Sequence, residues 1–176
     1  EKLSVPVVYN TSGFESQDTL RKLNGKVQIY LPDLKYSDDK LAIKYSNAPY
    51  YFRIATDAIK EMYRQVGDYK INDDGIMESG VIIRHLIMPG YLENSKKVID
   101  WVAQNFKPDQ VMFSLMHQYV PCGRAAEFPE INRKVTAEEY AEIEQYLMDS
   151  GIEDGFVQEE EAACTEFIPC FDGTGV

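Results

Sequence analysis

Val81-Ile82-Ile83-Arg84-His85-Leu86-Ile87-Met88-Pro89-Gly90 is an apolar run, broken by one arginine and one histidine, that stops at a Pro-Gly turn. Three other stretches have the same form. Val5-Pro6-Val7-Val8-Tyr9 runs into Asn10-Thr11-Ser12-Gly13, and Val27-Gln28-Ile29-Tyr30-Leu31-Pro32 runs into Asp33-Leu34-Lys35. Val111-Met112-Phe113-Ser114-Leu115-Met116 runs into His117-Gln118-Tyr119. Strands covered on both faces of a parallel sheet read as continuous apolar runs. In such sheets catalytic and binding groups collect at the carboxyl ends of the strands. The polar residues that close these runs therefore mark where a site is expected.

Helical patterns fill the intervals. Ser16 is placed to cap a short helix carrying Leu20 and Leu23 and ended by Gly25, and Ser37 or Asp38 to cap a second with Leu41 and Tyr45 inward. Pro49 suits the first turn of a third, with Phe52, Ala55, Ile59, Met62 and Val66 on one face and Gly67 as its stop. Asp74-Gly75 signals a hairpin turn, so a short β excursion is expected between Tyr69 and Gly80. Asn94 or Ser95 is expected to cap a helix with Val98, Ile99, Val102 and Phe106 on one side. Thr136-x-x-Glu139 is a capping box opening a helix with Tyr140, Ile143 and Leu147 inward, and Gly155 to Gln158 reads as a further short strand. The order β-α-β-α-α-β-α-β-α-(β) predicts an α/β fold with a parallel sheet. Four to five strands are too few for a closed barrel, which takes about 250 residues. An open doubly wound sheet and part of a barrel both remain. The first turn has no G-x-G-x-x-G fingerprint and no Walker A loop occurs, which counts against a nucleotide-binding Rossmann fold.

The 176 residues, 44% of them hydrophobic, can bury one sizeable core, and residues 1–176 are read as a single domain. The net charge of −11 would repel a nucleic acid, and the basic residues form no cluster interleaved with aromatics. Neither a membrane span nor a signal peptide is seen. The acidic runs Glu138 to Glu144 and Glu159 to Glu161 read as solvated surface. The three cysteines, Cys122, Cys164 and Cys170, are odd in number and lack zinc or cluster spacing. That argues against a disulfide framework and for a reducing, cytoplasmic setting. The chain starts with Glu1 rather than Met, so a cut or processed chain is expected.

Several side chains could carry chemistry. Asp33 and Lys35, two apart at a strand end, point the same way and could bind a polar, zwitterionic or ribose-bearing ligand, or form a surface ion pair. Arg84 inside an apolar run must be paired or ligand-directed, because an unpaired buried charge costs several kcal/mol. His85, its neighbour, faces the other way and is read as a hydrogen-bonded residue on the helix side. His117 closes the fourth run and is either a structural histidine or a functional one. Asn10, Thr11 and Ser12 offer hydrogen-bonding groups just before Gly13, whose backbone is free to turn. No Ser-His-Asp order or nucleophile elbow is present, and a Cys122–His117 pairing has no supporting motif.

In this order and spacing, Val5 to Phe14, Ile29 to Lys35 and Val81 to Gly90 resemble the carboxyl-terminal part of the pyruvate formate-lyase-activating-enzyme-like radical S-adenosylmethionine (SAM) proteins. Ala58 to Gly67, Gly75 to Met77 and Gly155 to Gln158 support the resemblance, which covers nearly the whole chain. It implies a partial (β/α) TIM-like barrel fragment of four to five mainly parallel strands with helices outside. It also implies an iron–sulfur enzyme in which a [4Fe–4S] cluster, held by a C-x-x-x-C-x-x-C loop, cleaves S-adenosylmethionine to a deoxyadenosyl radical that abstracts hydrogen. Implied partners are a glycyl-radical-type protein substrate and an electron donor. This chain has no such loop. It is therefore expected to be a carboxyl-terminal fragment that binds no cluster and is itself inactive. By the resemblance Asn10, Thr11, Asp33, Lys35, Arg84 and His117 are cosubstrate-binding, with His117 near the adenosine. Asn10 departs from the aspartate usual there, and Met116 with the Pro89-Gly90 turn would shape the adenine pocket. The alternative is a non-catalytic α/β binding module for a nucleoside-like or anionic ligand. Without the preceding strands, the edge beside Val5 to Tyr9 is expected to be open to edge-to-edge dimerisation.

Overall fold

A computed structural model describes residues 5–157. The strands are β1 (Val8–Thr11), β2 (Ile29–Pro32), β3 (Lys70–Ile71), β4 (Met77–Leu86), β5 (Met112–Met116) and β6 (Gly155–Val157). The helices are α1 (Gln17–Leu23), α2 (Asp39–Ser46), α3 (Tyr51–Val66), α4 (Leu92–Asn105) and α5 (Ala137–Asp149), with a 3-10 turn at Gly123–Glu127. The sheet order is β1-β2-β4-β5-β6, every neighbouring pair parallel, and β3 pairs antiparallel with the start of β4. Each parallel strand lies beside the next in the chain, with no reversal of order. That is the winding of a barrel wall, not of a doubly wound sheet, and the fold is a partial (β/α) barrel.

The sheet has six strands because the excursion around Asp74-Gly75 adds a short antiparallel one. Its turn is closed by Asn72, whose side-chain Oδ1 accepts from the Asp74 and Ile76 amides. The first strand lies later than the apolar run suggested, at Val8–Thr11, so Asn10 and Thr11 belong to it rather than to the turn. Gln158 and the rest of the tail, including Cys164, Cys170 and Glu159 to Glu161, lie outside the described residues.

The two faces of the sheet differ. Val81, Ile83 and His85 on β4, and Ile87 just beyond it, have no exposed surface, and Tyr30, Leu34, Phe113 and Leu115 share their side. Helices cover that side with Leu20 of α1, Ala55, Ala58, Ile59 and Met62 of α3, Val98, Ile99 and Val102 of α4, and Ile143 and Leu147 of α5. Burial of each large aliphatic side chain stabilises this layer by about 2 kcal/mol. The opposite side, which would face a barrel interior, is more open. Val8 and Phe156 are exposed there, and Leu31, Ile82, Arg84 and Leu86 are half-buried.

Two expected helix starts are corrected. Pro49 precedes α3, whose entry is made by Tyr50 in a left-handed conformation (φ 60°) without a side-chain cap. The cap position of α4 is Tyr91, so Asn94 and Ser95 sit inside the first turn, both buried. Their side chains turn to the strand ends instead of capping the helix. Ser16, Asp38 and Thr136 do cap their helices, the last with a complete capping box.

Candidate functional site

Parallel register brings three strand ends together. Asn10 pairs with Leu31, and Asp33 forms a bridge with Arg84 just beyond β2. Alternation along each strand then places Asn10, Asp33 and Arg84 on the interior side of the sheet. The Arg84 guanidinium Nη2 donates to Asn10 Oδ1 at 2.6 Å and lies 2.6 Å from Asp33 Oδ1. Lys35 Nζ stands 3.4 Å from Asp33 Oδ2. Arg84 is thus paired, and Lys35 and Arg84 together outnumber the single carboxylate. The site keeps one surplus positive charge on a strongly acidic chain.

The pairing leaves hydrogen-bonding capacity unused. Asp33 Oδ1 and Arg84 Nε are buried without a hydrogen-bond partner, because the short Asp33–Arg84 contact is an ion pair without hydrogen-bond alignment. A buried polar group left without a partner costs about 1–3 kcal/mol. An arrangement with a spare acceptor and a spare donor beside a half-exposed ammonium suits a ligand that carries hydroxyls and a carboxylate. A cavity of about 280 Å³ adjoins Lys35, walled by Tyr36, Tyr45, Leu86, Met88 and Tyr119.

His117 does not join this group. Its ring packs on Tyr140 of α5, with centroids 4.3 Å apart, and it is buried. The reason is register: Arg84 is opposite Ser114, so Ser114 and Met116 share the interior side, while Phe113, Leu115 and His117 continue on the helix side. The expected convergence of His117 with Asp33, Lys35 and Arg84 is corrected on that ground. Both His117 ring nitrogens lack hydrogen-bond partners. Thr11 also stands on the helix side; its hydroxyl donates to Glu15 at 2.6 Å and accepts from the Gly13 amide. The Pro89-Gly90 turn is tied to α5, with the Gly90 amide donating to Glu139 Oε1.

His85 is on the helix side, as alternation implies. Its Nδ1 bonds the Leu34 carbonyl at 2.7 Å and its Nε2 the Ser95 hydroxyl at 2.8 Å. Burial pushes its pKa down to about 4, against the opposing pull of the Leu34 carbonyl and the Asp33 charge, so the ring is neutral. Residues the sequence reading passed over surround the cluster. Tyr51, Asn94 and Glu15 each bond a strand end, and of the three only Asn94 stood out in the sequence, as an expected helix cap.

Among the described residues no group of three or more His, Cys, Asp or Glu is arranged to hold a metal ion, and Cys122 is a single exposed thiol. No helix among them is long and apolar enough to cross a membrane.

No protein-family model matches the chain. It is 32% identical over 145 residues to an uncharacterized protein of Methanocaldococcus jannaschii, across 82% of this chain. The chain spans 37% of the length of that relative. Among solved structures, a domain of pyruvate-formate lyase-activating enzyme from Bacteroides vulgatus superposes with a TM-score of 0.57, over 85% of this chain and 79% of that domain, at 14% identity. That likeness shows the fold.

Proposed function

We propose that this chain is the cosubstrate-binding part of a radical S-adenosylmethionine protein of the pyruvate formate-lyase-activating type. The observation that carries the reading is the meeting of Asn10, Asp33, Lys35 and Arg84 at neighbouring parallel strand ends, with Asp33 Oδ1 held by an ion pair alone and Arg84 Nε without a hydrogen-bond partner. The shared fold with an activating-enzyme domain supports it.

The residues present fit S-adenosylmethionine. Lys35 would pair with the carboxylate of its methionine portion, Asp33 would accept from the ribose hydroxyls, and Arg84 would hold Asp33 in place while donating through Nε. Bound next to a reduced cluster, S-adenosylmethionine supplies a carbon-centred radical for hydrogen abstraction. The described residues do not fit the cluster itself, since Cys122 alone among them offers a thiolate. In this reading the cluster loop belongs to other sequence of the protein. A glycyl-radical-type protein and an electron donor are the partners that such chemistry would need.

Calorimetric titration with S-adenosylmethionine tests the reading. Binding is expected, with Lys35→Ala weakening it about tenfold, the loss of one charge-assisted contact. Absence of binding at millimolar ligand would overturn it. Equal affinity for inorganic anions and no preference for the adenosyl compound would favour a non-catalytic anion-binding module instead.

A further inference from the structure

β2 ends at Pro32, and beyond the Asp33–Arg84 bridge no strand ladder continues along the segment that carries Asp33 and Lys35. Its backbone groups must find partners elsewhere or remain unsatisfied. Two are met by backbone: the Asp33 amide donates to the Thr11 carbonyl and the Leu34 amide to the Arg84 carbonyl. Five more are met by buried side chains from the helix side. The Tyr51 hydroxyl accepts from the Lys35 amide at 3.0 Å and lies 2.9 Å from the Asp33 carbonyl and 3.0 Å from that of Ser12. His85 Nδ1 meets the Leu34 carbonyl. Asn94 uses both ends of its amide: Nδ2 donates to the Lys35 carbonyl at 2.9 Å, and Oδ1 accepts from the Ser37 amide at 2.7 Å.

These three side chains come from different elements, yet the fold delivers them to one place. In a β/α unit the helix begins where the strand ends, so the first turns of α3 and α4 lie beside the carboxyl ends of the sheet. Tyr51 is the first residue of α3, and Asn94 lies in the first turn of α4. Neither caps its own helix; Asn94 spends its polar atoms on Lys35 and Ser37, and the Tyr51 hydroxyl on Asp33 and Lys35 together with the Ser12 carbonyl. A carbonyl can only accept, so Leu34 requires the proton on His85 Nδ1, and Nε2 then accepts from the Ser95 hydroxyl.

We infer that Tyr51, His85 and Asn94 are positioning residues that set the backbone of residues 33–37 and so aim the Asp33 carboxylate and the Lys35 ammonium into the shared site. They touch no ligand position themselves. Because alternate residues of this segment face opposite sides, a change in its backbone path would move both charged groups at once. The consequence for ligand binding rests on the S-adenosylmethionine reading above; the consequence for the backbone does not.

The test uses Tyr51→Phe and Asn94→Ala, with Tyr30→Phe as control. Tyr30 is also a buried tyrosine of the sheet's helix side, but its hydroxyl bonds Gln65, away from the segment. Amide hydrogen exchange, read residue by residue by NMR on the intact chain, should show Lys35 protection falling about tenfold or more in Tyr51→Phe and Ser37 protection in Asn94→Ala. The Leu34 amide should stay protected in both, and Tyr30→Phe should change none of them. Nitrogen NMR of the unmutated protein should show His85 protonated at Nδ1 alone. Calorimetry should show S-adenosylmethionine affinity falling about tenfold in Tyr51→Phe but not in Tyr30→Phe, at comparable melting temperatures. Unchanged Lys35 protection in Tyr51→Phe, or a His85 proton on Nε2, would overturn the inference even if Asn94→Ala fails to fold. If exchange follows the expected pattern and the unmutated chain does not bind S-adenosylmethionine, the positioning stands and the functional reading falls.

Discussion

At the scale of single residues, the site is decided by which polar groups are paired and which are left over. Arg84 was legible as a residue that needed a partner, because a cation in an apolar strand cannot stand alone. Asp33 and Asn10 are those partners. His85 was legible as its opposite-facing neighbour, and its burial has a consequence for pH dependence. Its folded pKa is lowered to about 4, below the value of about 6.5 expected when unfolded. The unfolded chain therefore takes up the proton first, and stability is lost as pH falls through the unfolded value toward the folded one. Above about pH 6.5 the contribution is complete. Urea unfolding should show the unmutated protein losing about 2 kcal/mol between about pH 7.5 and about pH 5, with His85→Gln losing much less over that window. Parallel pH profiles for the two proteins would contradict a buried neutral imidazole. His117 shows the limit of residue-level reading: its type suits a ligand-binding role, but its ring faces Tyr140.

At the scale of elements, local chemistry accounts for most boundaries. Thr136 and Glu139 satisfy each other's backbone donors at the start of α5, as the spacing alone implies. Thr136→Ala should lower stability by about 1 kcal/mol, seen as a shift of the denaturation midpoint without a change in its slope. The first turn of the fold is set more tightly. Gly13 has φ 78°, and a Cβ there would overlap the carbonyl oxygen of Asp33. Gly13→Ala should therefore cost about 2 kcal/mol or more and weaken ligand binding with it, since the clash bears on the site's own carboxylate residue. A Gly13→Ala protein with unmutated stability and affinity would show that this turn does not brace the site. Three expected helix-starting residues do not start helices: Asn94 is claimed by the segment after β2, Ser95 by His85, and Pro49 lies ahead of a helix entered at Tyr50. Capping preference is worth about 1 kcal/mol, and several tertiary hydrogen bonds to a buried backbone outweigh it.

At the scale of the molecule, the sheet presents two unequal surfaces and, among the described residues, two end strands, β1 and β6. Of these, β1 has β2 on one side only, and Val8 on it is exposed. An unpaired strand edge invites pairing with a second chain. Light scattering coupled to gel filtration should show a concentration-dependent dimer, and Val8→Lys should return it to monomer; a monomer at all concentrations would remove this surface from consideration. The amino-acid sequence by itself determined the α/β class, the strands that end in polar residues, the capped helices, and the presence of Asn10, Asp33, Lys35 and Arg84 at strand ends. These depend on apolar periodicity, cap chemistry and the cost of a lone buried charge, all of which act within a few residues. Only the tertiary structure decided between barrel winding and a doubly wound sheet, because strand order is a relation between distant segments. It also decided that Arg84 stands opposite Ser114 and not beside His117, and that Tyr51, His85 and Asn94 close on residues 33–37. Register between strands is set by how whole elements pack, and one residue of register exchanges every side chain between the site and the core.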